Sequence, residues 1–309
     1  MIAGMSNPPA HTPGLLAFAA KAPLGEIFDL TRLDDSLFQG RSRGEVSTRT
    51  FGGEVLGQAI IAAGSTIPQG RDLHSAQAYY LLPGDTSLPV TYQVQRSRDG
   101  GSFTTRVVSA IQRDRPIFTV TCSFQRRPDS GGMTHQVPVM DAPDPETLPD
   151  PLVAYAQDAA AVEWVRFLLD HQPVDLRFPE PPTRVRLARG EPAGPRQRAW
   201  FRGHQPIGST PLAHAAGLAY FSDLLLLSSA LGPHGRALGD ADVQFATIDH
   251  GIWYHAPLDP GEWFLYDMEG YWTGDDRAMC RGLIFDRHGT LCASTLQEGL
   301  LRRKREIPS

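Results

Sequence analysis

The stretches GGEVLGQAIIAAGSTIPQGR (Gly52–Arg71) and GLAYFSDLLLLSSALGPHGR (Gly217–Arg236) lie far apart in one chain of 309 residues, yet they read alike. Each is apolar nearly all round, the pattern of a helix enclosed by other structure rather than resting on a surface. They stop in the same register, at Pro68-Gln69-Gly70-Arg71 and at Pro233-His234-Gly235-Arg236. A repeat of this length predicts a duplicated unit. In the second copy Thr210 is placed to cap the helix, Pro211 suits its first turn and Gly232-Pro233 end it, so one unbroken helix from Pro211 to Leu231 is expected.

The repetition continues outward. After a longer loop in the second copy, HSAQAYYLLPGD (from His74) lies over HGIWYHAPLDPGE (from His250), and TCSFQ (Thr121–Gln125) over ASTLQ (Ala293–Gln297). Turn signals at Pro83-Gly84-Asp85, Asp99-Gly100-Gly101, Pro260-Gly261 and Gly274-Asp275 divide these regions into antiparallel strands. Each copy therefore reads as a short strand, a long helix and several antiparallel strands, an α+β unit made twice. The expected organisation is a loose N-terminal extension over residues 1–15, a first unit over 16–126, a connecting stretch over 127–185 and a second unit over 186–309. The connection carries six prolines between Arg127 and Pro151, then a helical pattern from Leu152 to Gln172.

Bulk properties narrow the function. Hydrophobic residues make up 41% and charged residues 20% of the chain, values of an ordinary globular protein. A formal charge of -5 argues against nucleic acid or an anionic membrane as partner. Cys122, Cys280 and Cys292 are an odd set without CxxC spacing, which points to a reducing compartment, the cytoplasm. The longest aliphatic run, Leu224–Leu227, is too short to predict a membrane span.

The candidate chemistry sits in the second copy. Asp223 lies within AYFSDLLLL, where an unsatisfied carboxylate would cost several kcal/mol of desolvation and its pKa would drift upward. In the register that lays Gly52 over Gly217, the first copy has Gln58 there, a neutral residue. If the acid were needed only to complete the fold, both copies could use the amide, so a single site is expected, in the second half. Strand residues Thr247, in QFATIDHGIWYHAP (Gln244–Pro257), and Gln297 are polar groups in that half that could hold a water with the carboxylate. Read with period two, that strand turns Thr247 and Asp249 to one side and Ile248 and His250 to the other. Asp249 and His250 then point apart, and His250 and His255 fall on opposite faces, poor geometry for a metal. No GxSxG is present. GGEVLG lacks the third glycine of a dinucleotide fingerprint, although Gly52-Gly53 could offer backbone N–H groups to an anion or a carbonyl oxygen.

FGGEVLGQA, LPGDTSLPVTYQVQRSRDGGSFTTR, IFTVTCSFQ, ATIDHGIWYH and STLQEG, in this order, resemble the acyl-CoA thioesterase II family from about Phe28 to Arg303. The resemblance implies a double hotdog, two long helices each wrapped by a curved antiparallel sheet. It implies hydrolysis of fatty acyl-CoA to a fatty acid and coenzyme A, with Asp223, Thr247 and Gln297 activating water. No metal or redox cofactor is implied, and the expected assembly is a homo-oligomer, a dimer or tetramer of double hotdogs. The chain departs from the family at Leu82 and Val107, where arginines are common. Two other readings stay open, an acyl-CoA hydratase or dehydratase and a non-catalytic acyl-CoA-binding protein.

Overall fold

A computed structural model describes residues 22–41, 49–127, 132–138 and 141–304. The N-terminal extension expected over residues 1–15 lies outside them. After a single helical turn, α1 (Leu24–Ile27), the first half builds β1 (Thr31–Asp34), β2 (Leu37–Gly40), helix α2 (Gly52–Gly64), then β3 (Arg71–Tyr80), β4 (Val90–Asp99), β5 (Phe103–Gln112) and β6 (Arg115–Arg126). The connection holds α3 (Pro151–Ala154), α4 (Ala159–His171), β7 (Val174–Arg177) and α5 (Thr183–Ala188). The second half adds β8 (Arg196–Gly203), helix α6 (Pro211–Ser222), β9 (Val243–Tyr254), β10 (Phe264–Gly274), β11 (Arg277–Asp286) and β12 (Leu291–Arg303). β7, within the connecting stretch, pairs with β8 and forms one edge of the sheet.

All twelve strands form one antiparallel sheet in the order β1-β2-β4-β5-β6-β3-β9-β12-β11-β10-β8-β7. This order is a palindrome, each half repeating the other about the β3–β9 junction. The sheet curves over α2 and α6, which pack side by side at its centre and are buried along most of their length. Glycines permit that close approach: a Cβ on Gly53 would stand 2.4 Å from the Tyr220 carbonyl oxygen, and one on Gly57 3.2 Å from that of Ala216. The alternation along β5, buried at every second residue from Thr104 to Gln112, shows one face on the helices and one outside.

β-bulges fix the internal symmetry. The ladder shifts register between Leu73 and Ser75, between Arg96 and Arg98 and between Ala110 and Ile111. It shifts again between Thr247 and Asp249, between Gly270 and Trp272 and between Ile284 and Phe285. The three bulges of the second half follow those of the first at one constant offset, the one that carries Leu73 to Thr247. This bulge register corrects the alignment of His74 with His250. His74 occupies the bulge and corresponds to Ile248; His250 corresponds to Ala76. Gln297 pairs with His250 as Cys122 pairs with Ala76, so Cys122, not Gln125, stands where Gln297 does. Sequence matching slips here because a shift of two residues leaves the alternation of a strand unchanged, so His74 and His250 look equivalent.

The second long helix also differs from expectation. Thr210 caps it, accepting from the Ala213 N–H at 3.1 Å, but the α-helix ends at Ser222 with Asp223 as its C-terminal cap. Leu225 then adopts a left-handed backbone (φ 70°), and the remaining run to His234 consists of short 3₁₀ turns. Leucine has high helix propensity, and a tertiary hydrogen bond from Gln197, with local 3₁₀ bonds from Ser228, overrides it here. The Leu225 carbonyl accepts from Gln197 Nε2 (2.9 Å), Ser228 Oγ (2.6 Å) and the Ser228 N–H (3.1 Å). By length and composition Pro211–His234 could cross a membrane, but 89% of its most apolar window is buried in this core.

Candidate active site

The break in the second helix turns Asp223 out of the helical stack and toward the sheet. Its Oδ1 accepts from Gln297 Nε2 at 2.7 Å and from Thr247 Oγ1 at 3.2 Å, and Gln297 Nε2 also donates to Thr247 Oγ1 at 2.8 Å. The Gly53 N–H, at the start of α2 in the other half, donates to the same carboxylate. The structure thus brings together all three residues singled out from sequence and adds a backbone donor from across the pseudo-dyad.

A bulge makes this meeting possible. Ile248 is the extra residue in β9, so Val243, Phe245 and Thr247 share the inner face with His250, Ile252 and Tyr254. Thr247 and Asp249 consequently do not share a face, which corrects the simple period-two reading. Asp249 instead accepts from the Glu298 N–H at 2.9 Å. His250 lies inside, fully buried, 2.8 Å from Ser222 Oγ. Because that hydroxyl already donates to the Ala219 carbonyl, His250 must carry its proton on Nε2. Burial pushes its pKa down to about 4, so it is a neutral brace beside Asp223 and not a proton carrier near pH 7.

Burial dominates the electrostatics of Asp223 and raises its pKa to about 6, against the pull of Thr247, Gln297 and the Gly53 N–H, which favour the carboxylate. The side chain is partly accessible and borders a cavity of about 50 Å³. Phe51, Leu224, Leu225, Leu238 and Phe245 line that cavity, and Phe167 and Leu168 of α4 complete it. The space admits a few waters but not an acyl chain, so a substrate must displace these flexible side chains.

Three polar groups at the site lack a partner among the described residues, His250 Nδ1 being one of them. Gln297 Oε1 is buried and unpaired, since the amide turns its NH₂ toward the two acceptors beside it. The Tyr80 hydroxyl is likewise buried and unpaired. A Cβ on Gly52 would lie 2.6 Å from Asp223 Oδ2 and 3.1 Å from Tyr80 Cζ, so ring and carboxylate flank the same glycine. Sequence reasoning missed Tyr80, which comes from the other half. Its counterpart in the bulge register, Tyr254, donates to the Ala215 carbonyl at 2.8 Å.

The corresponding positions of the first half are disarmed. Gln58, aligned with Asp223 in sequence, is turned toward α1 and β4 instead, spending its amide on the Ile27 carbonyl (2.8 Å), the Arg41 carbonyl (3.2 Å) and the Tyr92 hydroxyl (2.7 Å). Leu73 corresponds to Thr247 and Cys122 to Gln297. Among the described residues no cluster of His, Cys, Asp and Glu could hold a metal ion.

A continuous curved sheet over two central helices, with one acidic site at the junction of the halves, defines the double-hotdog class. The chain belongs to the acyl-CoA thioesterase family. The family's Acyl-CoA thioesterase signature matches residues 168–300, and that of the Acyl-CoA thioesterase N-terminal domain matches residues 42–125. The chain is 34% identical to acyl-coenzyme A thioesterase 8 of Homo sapiens, over 91% of this chain and 89% of the relative. It is 35% identical to acyl-CoA thioesterase 2 of Haemophilus influenzae, over 89% of this chain and 96% of that one. Among solved structures, the acyl-CoA thioesterase II TesB2 from Mycobacterium marinum superimposes with a TM-score of 0.74 at 33% identity, covering 91% of this chain and 98% of its own.

Proposed function

We propose that this chain hydrolyses fatty acyl-CoA to a fatty acid and coenzyme A by direct attack of water, with Asp223 as general base. The observation that carries this reading is the carboxylate held by Thr247, Gln297 and the Gly53 N–H beside a water-sized cavity. A water donating one hydrogen to Asp223 and the other to Gln297 Oε1 keeps a lone pair free for the thioester carbonyl. Asp223 takes the proton as the C–O bond forms; expulsion of the coenzyme A thiolate then releases the acid. The start of α2 at Gly52-Gly53 supplies the positive end of a helix dipole, suited to charge developing on the carbonyl oxygen. Hydration of a double bond is disfavoured, because it calls for an acid–base pair and His250 is neutral, buried and turned to Ser222.

The test is release of free thiol from acyl-CoA substrates across acyl lengths. Thiol release that depends on Asp223 supports the reading, and tight binding of acyl-CoA with no thiol released would replace it with a binding protein. Acyl length is set by the side chains that close the cavity. Phe167→Ala, which opens the wall supplied by α4, is expected to raise kcat/KM for long chains relative to short ones severalfold. An unchanged ratio would place the acyl pocket elsewhere.

The same reading includes self-association and a cytoplasmic location. All three cysteines are free and buried, in keeping with a reducing compartment. Near the β3–β9 junction the outer face of the sheet exposes Tyr79 (54%) and Trp253 (37%), aromatic surface of the kind that interfaces use. The variant Trp253→Lys is expected to shift light-scattering mass toward the 33.8 kDa monomer. An assembly unchanged in both Trp253→Lys and Tyr79→Lys would exclude this face.

A further inference from the structure

The palindromic sheet has a second mouth. β3 and β9 pair only from Ser75↔Trp253 to Tyr79↔Asp249, and then separate at both ends. Gln77 pairs with Gly251, which is also its counterpart in the bulge register, so the pseudo-twofold axis passes between them and exchanges the two ends. Beyond one end lie Tyr80 and Thr247, at the candidate active site. Beyond the other lie Leu73 and Tyr254, their counterparts, and there a cleft of about 410 Å³ opens along the first turns of α6. Its volume falls within the range of small-molecule sites, and it is much larger than the cavity of about 50 Å³ at Asp223.

The cleft has kept a mouth and lost the chemistry. Where the other end has Thr247 and Gln297, this end has Leu73 and Cys122. Its wall alternates apolar side chains, Leu73, Leu218 and Leu258, with three histidines. Each imidazole is fixed through Nε2: His74 at 2.8 Å from Ser123 Oγ, His214 at 2.9 Å from the Gly208 carbonyl and His255 at 2.8 Å from Ser294 Oγ. The Gln125 side chain also lines the wall. The wall offers no net positive charge: Arg127 is paired with Asp72, and the other charged side chain beside it, 3.7 Å from His214, is the acid Asp259. Burial holds His74 and His255 below the ordinary histidine range, so both are neutral near pH 7. Such a wall suits an elongated, uncharged ligand in which amides and hydroxyls alternate with methylenes, and it gives a phosphate no net attraction.

We propose that this cleft binds the pantetheine arm of a second coenzyme A molecule, free or acylated, and holds it without hydrolysis. The inference rests on the acyl-CoA reading of the catalytic half, because the two mouths are copies of one element. The adenosine and its phosphates stay outside, in solvent.

The experiment is calorimetric titration of the full chain with free coenzyme A, which carries no thioester and cannot turn over. Two coenzyme A molecules per chain are expected, with pantetheine displacing the second and adenosine 3′,5′-bisphosphate failing to do so. Ala256→Trp, which fills the mouth, is expected to bind one per chain while hydrolysing acyl-CoA within about twofold of the parent at low substrate. One coenzyme A per chain in the parent, displacement by the bisphosphate alone, or loss of hydrolysis in Ala256→Trp would each overturn the proposal. Should the tryptophan prevent folding, His255→Ala serves instead. It should weaken the second binding event tenfold or more, and undiminished binding would equally overturn the proposal. A chain that hydrolyses acyl-CoA yet binds one coenzyme A sinks the cleft alone; a chain that binds two and hydrolyses nothing sinks the catalytic reading alone.

Discussion

Asp223→Asn is expected to lower kcat for thioester hydrolysis by roughly 10²–10⁴-fold with little change in KM, while making the protein more stable above neutral pH. The two effects share a cause. The carboxylate is buried among Phe51, Leu224 and Leu225, and only three donors offset its desolvation. A carboxylic acid whose pKa is about 6 when folded and ordinary when unfolded binds its proton more tightly in the folded state, so ionisation opposes folding. The penalty is absent below pH ~4, grows between pH ~4 and ~6, and is complete above, where it amounts to ~3 kcal/mol. Asparagine removes the charge and keeps the shape. Denaturant midpoints of parent and variant should therefore agree near pH 4 and diverge by pH 8, with the variant the more stable. The same titration predicts that kcat of the parent falls below about pH 6, as the base is protonated. A variant that is less stable at pH 8, or a rate flat from pH 5 to 8, would contradict this account.

Gly53→Ala should be the most damaging single-methyl change in the core. The added Cβ would meet the Tyr220 carbonyl oxygen at 2.4 Å and the Phe51 ring at 2.6 Å. The ring can turn, but the carbonyl belongs to α6 and cannot yield without parting the two helices. Overpacking of this kind costs about 1–3 kcal/mol and occasionally more. It would also pull the Gly53 N–H away from Asp223, so activity should fall beyond what the loss of folded protein explains. Thermal unfolding and specific activity of the soluble fraction measure both. A variant with the parent's Tm would mean that the helices do not approach as closely as described.

Much of this architecture is legible in residues alone. The repeated apolar helix with its shared stop at Pro68 and Pro233 announces the duplication, and the exchange of Gln58 for Asp223 announces that the halves have diverged in chemistry. Those signals are local, since periodicity and composition are written along the chain. Register is not legible, because a bulge inserts one residue that alternation cannot distinguish from its neighbours. Ile248 therefore hides the inward turn of Thr247, and His74 aligns by sequence with the wrong partner because a two-residue slip leaves alternation unchanged.

The end of the second helix is equally hidden. Leu224–Leu227 carries every local reason to continue a helix, and the break after Asp223 is held by bonds from distant strands, Gln197 to the Leu225 carbonyl and Thr247 and Gln297 to Asp223. Residues from the other half, Gly53 and Tyr80, reach the site across the pseudo-dyad; GGEVLG marks Gly52-Gly53 as donors suited to an anion, but no pattern within one copy places them at Asp223 or names Tyr80. Sequence by itself determined the class of fold, the number of copies and which copy kept an acid, because these depend on residue type and spacing. Tertiary structure alone decided what surrounds that acid, because its pKa and partners are set by strand register and helix approach over distances that no local pattern encodes.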